Sequence, residues 1–153
     1  MAKLLFIFFV IAIIFQANKI KAKYFFSGKL PPISSNSTGN NDPCFNKNHC
    51  AVIYLAPWCS ACNQLAPQLI QLLQKANSLH EIGIAVIIGK GRTHEENESY
   101  AKKFGVNALV DNDEKIEQAL GISYYPTFLI FDKNRKIILK DMDAMNWINS
   151  KYQ

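Results

Sequence analysis

The sequence predicts an α/β fold, a mixed sheet flanked by helices on both faces. Three observations carry this. From residue 51 onward, short apolar runs alternate with stretches of helical period. Two of the helical stretches stop at a glycine, Gly105 and Gly121. The last two strand-like runs are separated only by Asp132-Lys133-Asn134-Arg135, a turn sequence, so they form an antiparallel hairpin.

Each element has its own signal. Residues 51–55, Ala-Val-Ile-Tyr-Leu, read as a buried strand. Residues 60–76 read as a helix with Leu65, Leu69, Leu72 and Leu73 on one side and Pro67 as an interior kink. Ile82 to Ile88 is a second buried strand. Thr93-His94-Glu95-Glu96 is a capping-box sequence that opens a helix running to Phe104. Ala108 to Val110 is a short strand, and Asp113 is expected to cap a short helix ending at Leu120. Thr127–Phe131 and Lys136–Lys140 are the hairpin strands, and a last helix spans about residues 142–151.

The N-terminus has a different character. Leu4 to Phe15 is an unbroken apolar run of 12 residues preceded by Lys3. A spanning helix needs roughly 20 apolar residues and a secretory core only about 7–15. Residues 1–22 are therefore expected to be a signal peptide, cleaved after Ala22 or Ala17, or else an uncleaved membrane anchor. Either way the protein is expected to be exported, to the periplasm or to the outer side of the membrane. The alternative, a buried N-terminal helix or strand of a cytosolic protein, fits a Phe- and Ile-rich run with no polar face poorly. Residues 23–43 read as a flexible linker, with Pro31-Pro32 and a polar stretch from Ser34 to Asn41. The folded domain is expected over 44–153.

The formal charge of +5 does not signal nucleic acid binding. Lys3, Lys19 and Lys21 lie in the N-terminal segment, leaving 14 basic residues against 12 acidic ones from Lys23 onward. No basic stripe with interleaved aromatics is present, so no nucleic acid partner is expected.

The chemistry resides in Trp58-Cys59-Ser60-Ala61-Cys62, between the first strand and the first helix. Two thiols three positions apart at a helix start lie on one face, one turn apart. They can join as a disulfide and open again with little backbone movement. Unpaired amides and the helix dipole at the mouth of the helix favour a negative sulfur. An ordinary thiol is only about 3% ionised at pH 7, and a pKa depressed to about 7 makes roughly half of it thiolate. Cys59, the outer member, is expected to attack, and Cys62, one turn inside, to resolve the mixed disulfide. Trp58 would give a partner chain a flat surface.

Other readings of the pair are half of a zinc site or a static disulfide. Zinc needs further ligands. Cys44, His49 and Cys50 are the candidates, but the intervening strand holds them about 17 Å away at roughly 3.3 Å per residue. No metal is expected. A three-residue spacing at a helix start is also an unusual place for a fixed staple.

The segment Ala56-Pro57-Trp58-Cys59-Ser60-Ala61-Cys62, with Pro67 five positions later, resembles the active-site strand and helix of the thioredoxin superfamily. Tyr125-Pro126-Thr127 resembles that family's cis-proline loop. The order of motifs from Ala108 to Asp132 is most similar to the TlpA-like and ResA-like thiol–disulfide oxidoreductases, which face the cell envelope and are often membrane-tethered. The resemblance spans about residues 50–150. It implies a thioredoxin-like fold and disulfide exchange with protein thiol or disulfide substrates. Electrons come from a redox partner protein, and no bound cofactor is required. It tilts the direction toward reduction, as in cytochrome c maturation, with oxidase or isomerase activity as the alternative. A non-catalytic binding module is the reading from another class.

The resemblance also implies substrate docking by Trp58, Tyr125, Pro126 and Thr127. A cis bond at Pro126 would bring the backbone of Tyr125 and Thr127 against the Cys59 sulfur, where a bound peptide could add as a short strand. An ordinary trans proline at a strand start is the alternative. Two departures stand out. Ile53 occupies the position of thioredoxin's buried acid, and Leu65 that of a glutamate found in some ResA-like proteins. Any proton donor or acceptor assisting Cys62 must come from elsewhere.

Cys44 and Cys50 flank Phe45-Asn46-Lys47-Asn48-His49 ahead of the first strand, at the end opposite Cys59. A small structural disulfide loop fits them best, with a redox relay, free thiols or intermolecular pairing as alternatives. His80 and His94 read as surface residues. Tyr124 and Tyr125 can shape a groove or serve packing.

Overall fold

A computed structural model describes residues 28–33, 42–76 and 82–152. The expected export segment, residues 23–27 and 34–41 of the expected linker, and His80 lie outside the described residues.

Five strands form one mixed sheet in the order β3-β2-β1-β4-β5. At its centre, β1 (His49–Leu55) runs parallel to β2 (Ile82–Ile88) and antiparallel to β4 (Thr127–Asp132). β3 (Ala108–Val110) extends the parallel side, and β5 (Ile137–Lys140) pairs with β4 as the hairpin. β1 and β2 are buried on both faces, which is why they read as continuous apolar runs rather than alternating ones.

One face is covered by α1 (Ser60–Ala76), α2 (His94–Ala101) with its 3₁₀ extension Lys102–Asn107, and α4 (Asp141–Tyr152). Leu69 and Leu73 of α1, Tyr100 of α2 and Ile148 of α4 pack there with Ile53, Leu55, Val86 and Ile130. α1 has the expected bounds, and Pro67 lies inside it. The helix expected to reach Phe104 instead tightens into 3₁₀ form after Ala101, and Gly105 sits at φ 68°. Thr93 caps α2 by accepting from the Glu96 amide at 3.2 Å. The Glu96 carboxylate reaches one residue further back than a capping box requires, to the Arg92 amide.

Among the described residues the opposite face carries one short helix, α3 (Lys115–Leu120). The rest of its cover is Leu30, Ile33 and the Cys44–Cys50 disulfide, packed on Val52, Tyr54, Ile87, Leu129 and Phe131. Residues 28–33 therefore do not behave as the free linker expected over 23–43. Leu30 and Ile33 are almost wholly buried, each worth about 1.5–3 kcal/mol of burial. Arg135 fastens the segment, donating from Nε to the Leu30 carbonyl at 3.0 Å, from Nη2 to the Pro31 carbonyl at 2.6 Å and from Nη1 to Asp42 at 2.8 Å. Lys29 also bridges to Lys136, the residue just before β5.

Candidate active site

The site lies where β1 ends and α1 begins. The Cys59 amide donates to the Ala56 carbonyl at 3.1 Å, turning the chain sharply out of the strand. Asn63, one turn into α1, fixes this turn from the far side. Its side-chain amide donates to the Pro57 carbonyl at 3.0 Å and to the Cys59 carbonyl at 3.1 Å. Asn63 lies outside the Trp58–Cys62 motif. The signal was its position four residues after Cys59, where a side chain can reach back over the first turn.

Cys59 and Cys62 are joined as a disulfide with Cα atoms 5.2 Å apart. Cys62 is fully enclosed, while Cys59 is 6% exposed. Cys59 is thus the more accessible sulfur, but only a narrow window opens on it. Trp58 and the Tyr125-Pro126 loop frame that window. Trp58 is 54% exposed and meets the ring of Tyr125 edge-on, with centroids 5.6 Å apart. The Tyr125–Pro126 peptide bond is cis. The Tyr125 carbonyl oxygen lies 3.5 Å from the Cys59 sulfur. The Cys62 backbone amide points at the same sulfur from 3.1 Å. An amide so placed stabilises a sulfur anion, because a charge-assisted hydrogen bond is about twice as strong as a neutral one.

The remaining residues expected at the site are brought together, with one difference of role. Thr127 is buried, and its hydroxyl donates to the Tyr124 carbonyl, so its side chain braces the loop. Tyr124 stands half-exposed beside it. Cys44 and Cys50 form the second disulfide at the other end of β1. Cys50 pairs with Phe131 and Gly83, five residues along the strand from Leu55.

Behind the loop lies a buried polar cluster that belongs to none of the sequence motifs. The Tyr54 hydroxyl donates to Asp111 at 2.9 Å. Asp111 also accepts from the amides of Ile116 and Glu117, at 3.1 and 2.9 Å. Asp111, not Asp113, therefore caps α3. Asp113 instead pairs with Lys115 at the surface, and the residue before the helix, Glu114, is left-handed with no side-chain cap. Gly89 makes room for this cluster: a Cβ there would lie 2.0 Å from the Tyr54 hydroxyl.

Glu117 faces inward from α3 toward the Tyr125 phenol. Lys90 approaches it at 3.4 Å and Glu114 at 2.7 Å. Burial raises the Glu117 carboxyl above its ordinary range, with Lys90 pulling the other way. Burial and the neighbouring Glu117 also raise the Tyr125 phenol. Burial, then Asp111, raise Tyr54 strongly, so it stays a neutral donor. A sequence signal for Glu117 did exist. It lies three residues before the buried Leu120, on the same helix face.

The pattern of the thioredoxin-like family matches residues 47–137, more than half of the chain. The chain belongs to the thioredoxin-like family. None of the curated proteins matches it in sequence. Among solved structures, it resembles the exposed lipoprotein thioredoxin of Streptococcus pneumoniae, with a TM-score of 0.56 at 19% identity over 69% of this chain and 87% of that one. A secreted Mycobacterium tuberculosis disulfide oxidoreductase gives 0.51 at 18% identity, over 68% and 81%. A thiol:disulfide interchange protein from a Bacteroides species gives 0.58 at 18% identity, over 80% and 85%. At such identities the likeness is one of fold, and that fold is the one the motifs implied.

Proposed function

We propose that this thioredoxin-like thiol–disulfide oxidoreductase reduces disulfides of protein substrates outside the cytoplasm. One observation carries the proposal. The more accessible sulfur of a helix-mouth pair sits between the Cys62 amide at 3.1 Å and the Tyr125 carbonyl at 3.5 Å. The amide favours the thiolate, and the loop carbonyl marks where a substrate backbone would pass.

In the reduced protein, the Cys59 thiolate attacks one sulfur of a substrate disulfide. A Cys59–substrate bond forms, the substrate S–S bond breaks, and the second substrate sulfur leaves as a thiolate that takes a proton. Cys62, deprotonated in its turn, attacks the Cys59 sulfur. The Cys59–Cys62 bond forms and the substrate leaves as a dithiol. Two electrons have passed to the substrate. A partner dithiol restores the reduced pair by the same exchange in reverse. Trp58, Tyr125, Pro126 and the Thr127 backbone supply the docking edge.

Location outside the cytoplasm is supported by the apolar run at 4–15 and by the exposed or secreted character of two structural neighbours. Among the described residues no helix is long and apolar enough to cross a membrane, so a tether would lie upstream of them. The chain enters the domain at Gly28, whose carbonyl accepts from the Ile137 amide. Ile137 pairs with Phe131, which pairs in turn with Cys50, at the end of the sheet away from Cys59. A tether leaving there would point the Cys59 mouth away from the bilayer.

The reductase direction follows the family resemblance, with the disulfide of an immature c-type cytochrome as the expected kind of substrate. Two measurements test the proposal. Cys59→Ser should abolish reduction of insulin disulfides, and undiminished reduction contradicts it. The Cys59–Cys62 couple should equilibrate at a potential nearer thioredoxin's, about −270 mV, than DsbA's, about −120 mV. A value near the latter makes the protein an oxidase.

A further inference from the structure

Four residues from four segments form a closed circuit around the mouth of Cys59. Lys90, in the loop after β2, holds Trp58 through its backbone: the indole Nε1–H donates to the Lys90 carbonyl at 2.6 Å. The Lys90 ammonium lies 3.4 Å from Glu117. Glu117 faces the Tyr125 phenol. Tyr125 closes the circuit, packing edge-on against Trp58 with its carbonyl 3.5 Å from the Cys59 sulfur.

Two features set this circuit apart from ordinary surface pairing. The Glu117 side chain is only 11% exposed, at a helix position that an apolar residue would fill at lower cost. Among the described residues its Oε2 is buried with no hydrogen-bond partner, and Lys90 and Tyr125 offset the burial of the carboxylate. Lys90 itself adopts a left-handed backbone, φ 59°, which a non-glycine residue takes up only at some cost. That conformation lets one residue present its carbonyl to Trp58 and its ammonium to Glu117. The Cys59 sulfur is met by the Tyr125 carbonyl and the Cys62 amide, while the Lys90 ammonium is met by Glu114 and Glu117.

We infer that Lys90 and Glu117 are positioning residues for polypeptide docking, holding Trp58 and Tyr125 together as a preformed wall beside Cys59. The inference rests on the reading of Cys59 as the sulfur that meets substrate. It assigns the pair to recognition of an extended chain rather than to the reactivity of the sulfur. A preformed wall spares the docking chain the cost of ordering two aromatic side chains. Small disulfides and alkylating reagents, which need no wall, should not sense it.

The test uses the full chain with Glu117→Gln, Lys90→Met and the double variant. Each single change should raise KM for insulin about five- to tenfold with kcat within about twofold. Iodoacetamide labelling of reduced Cys59 should stay at the wild-type rate. Both changes open the same circuit, so the double variant should be no worse than the weaker single one. KM values within twofold of wild type, or losses that multiply in the double variant, overturn the inference. A second readout does not depend on turnover. The chain has two tryptophans, and the Nε1–H proton resonance of Trp58 can be assigned against Trp147→Phe. It should shift in both single variants. If it stays in place in both, the wall is not held by this pair, whether or not the protein reduces insulin. If the wild type fails to reduce insulin while the resonance shifts, the proposed reaction is wrong and the positioning stands.

Discussion

The Cys62 backbone amide points at the Cys59 sulfur from 3.1 Å, and both belong to the first turn at the mouth of α1. This relationship gives the two cysteines different chemistry. Cys59 receives a hydrogen bond that stabilises its anion, whereas Cys62 is wholly enclosed. In the reduced protein Cys59 should alkylate with an apparent pKa below the roughly 8.5 of a free thiol, and Cys62 should label only after unfolding. Mass spectrometry of labelled peptides across pH checks both. Equal labelling of the two sulfurs in the folded state contradicts the assignment.

Asp111 joins three segments: it accepts from the Tyr54 hydroxyl of β1 and from two amides that open α3. Asp111→Ala removes all three bonds and leaves a buried hydroxyl unpaired. The cost should be about 2–4 kcal/mol, from the lost cap and the unsatisfied donor together. Asp113→Ala, which loses only a surface pair, should cost under about 1 kcal/mol. Urea unfolding of the two variants measures the contrast.

Residues 28–33 should behave as part of the domain. Leu30→Ala should destabilise it by about 2–5 kcal/mol, as for other buried leucines, because Leu30 fills the face that α3 leaves open. Arg135→Ala should loosen the same segment by releasing the Leu30 and Pro31 carbonyls. Urea midpoints and amide exchange at Leu30 report the effect. Wild-type values in both variants would mean that the segment only tethers.

The Cys44–Cys50 pair is expected to stabilise without taking part in exchange. Replacing both with alanine should cost about 2 kcal/mol, the chain-entropy value for so small a ring. Cys59 alkylation should be unchanged, since the two disulfides sit at opposite ends of β1. A change in the Cys59 rate would favour communication between the pairs.

Burial raises the Glu117 carboxyl above its ordinary range, with Lys90 and the Tyr125 phenol opposing the rise and Glu114 adding to it. Such a group binds its proton more tightly in the folded state. Its contribution to stability is full below the unfolded pKa, about 4.3, and is lost as pH climbs through the raised value. The wild type should therefore lose stability relative to Glu117→Gln as pH is raised from about 4 to 7. A difference that stays constant over that range contradicts this account of the site.

Sequence legibility differed between local and tertiary features. α1, β2 and β3 have the bounds read from their apolar runs and flanking breakers, because those signals lie within the segments themselves. The cysteine pair and the Pro126 loop were legible as motifs for the same reason. The cap of α3 is not legible locally, because its owner, Asp111, is selected by a tyrosine 57 residues away. Glu117 and Lys90 carry no local signal of their joint role, since only the folding of α3 against the β2 loop brings them together. Leu30 and Ile33 read as linker because two prolines and a polar stretch surround them, although two large apolar residues in such a stretch are themselves a sign of docking.

The most direct measurement is covalent capture. With Cys62→Ser there is no resolving sulfur, so reduced Cys59 presented with insulin should accumulate a mixed disulfide, seen by mass spectrometry as an insulin chain attached at Cys59 and released by dithiothreitol. If the natively folded variant forms no such adduct, Cys59 does not exchange with protein disulfides and the account fails.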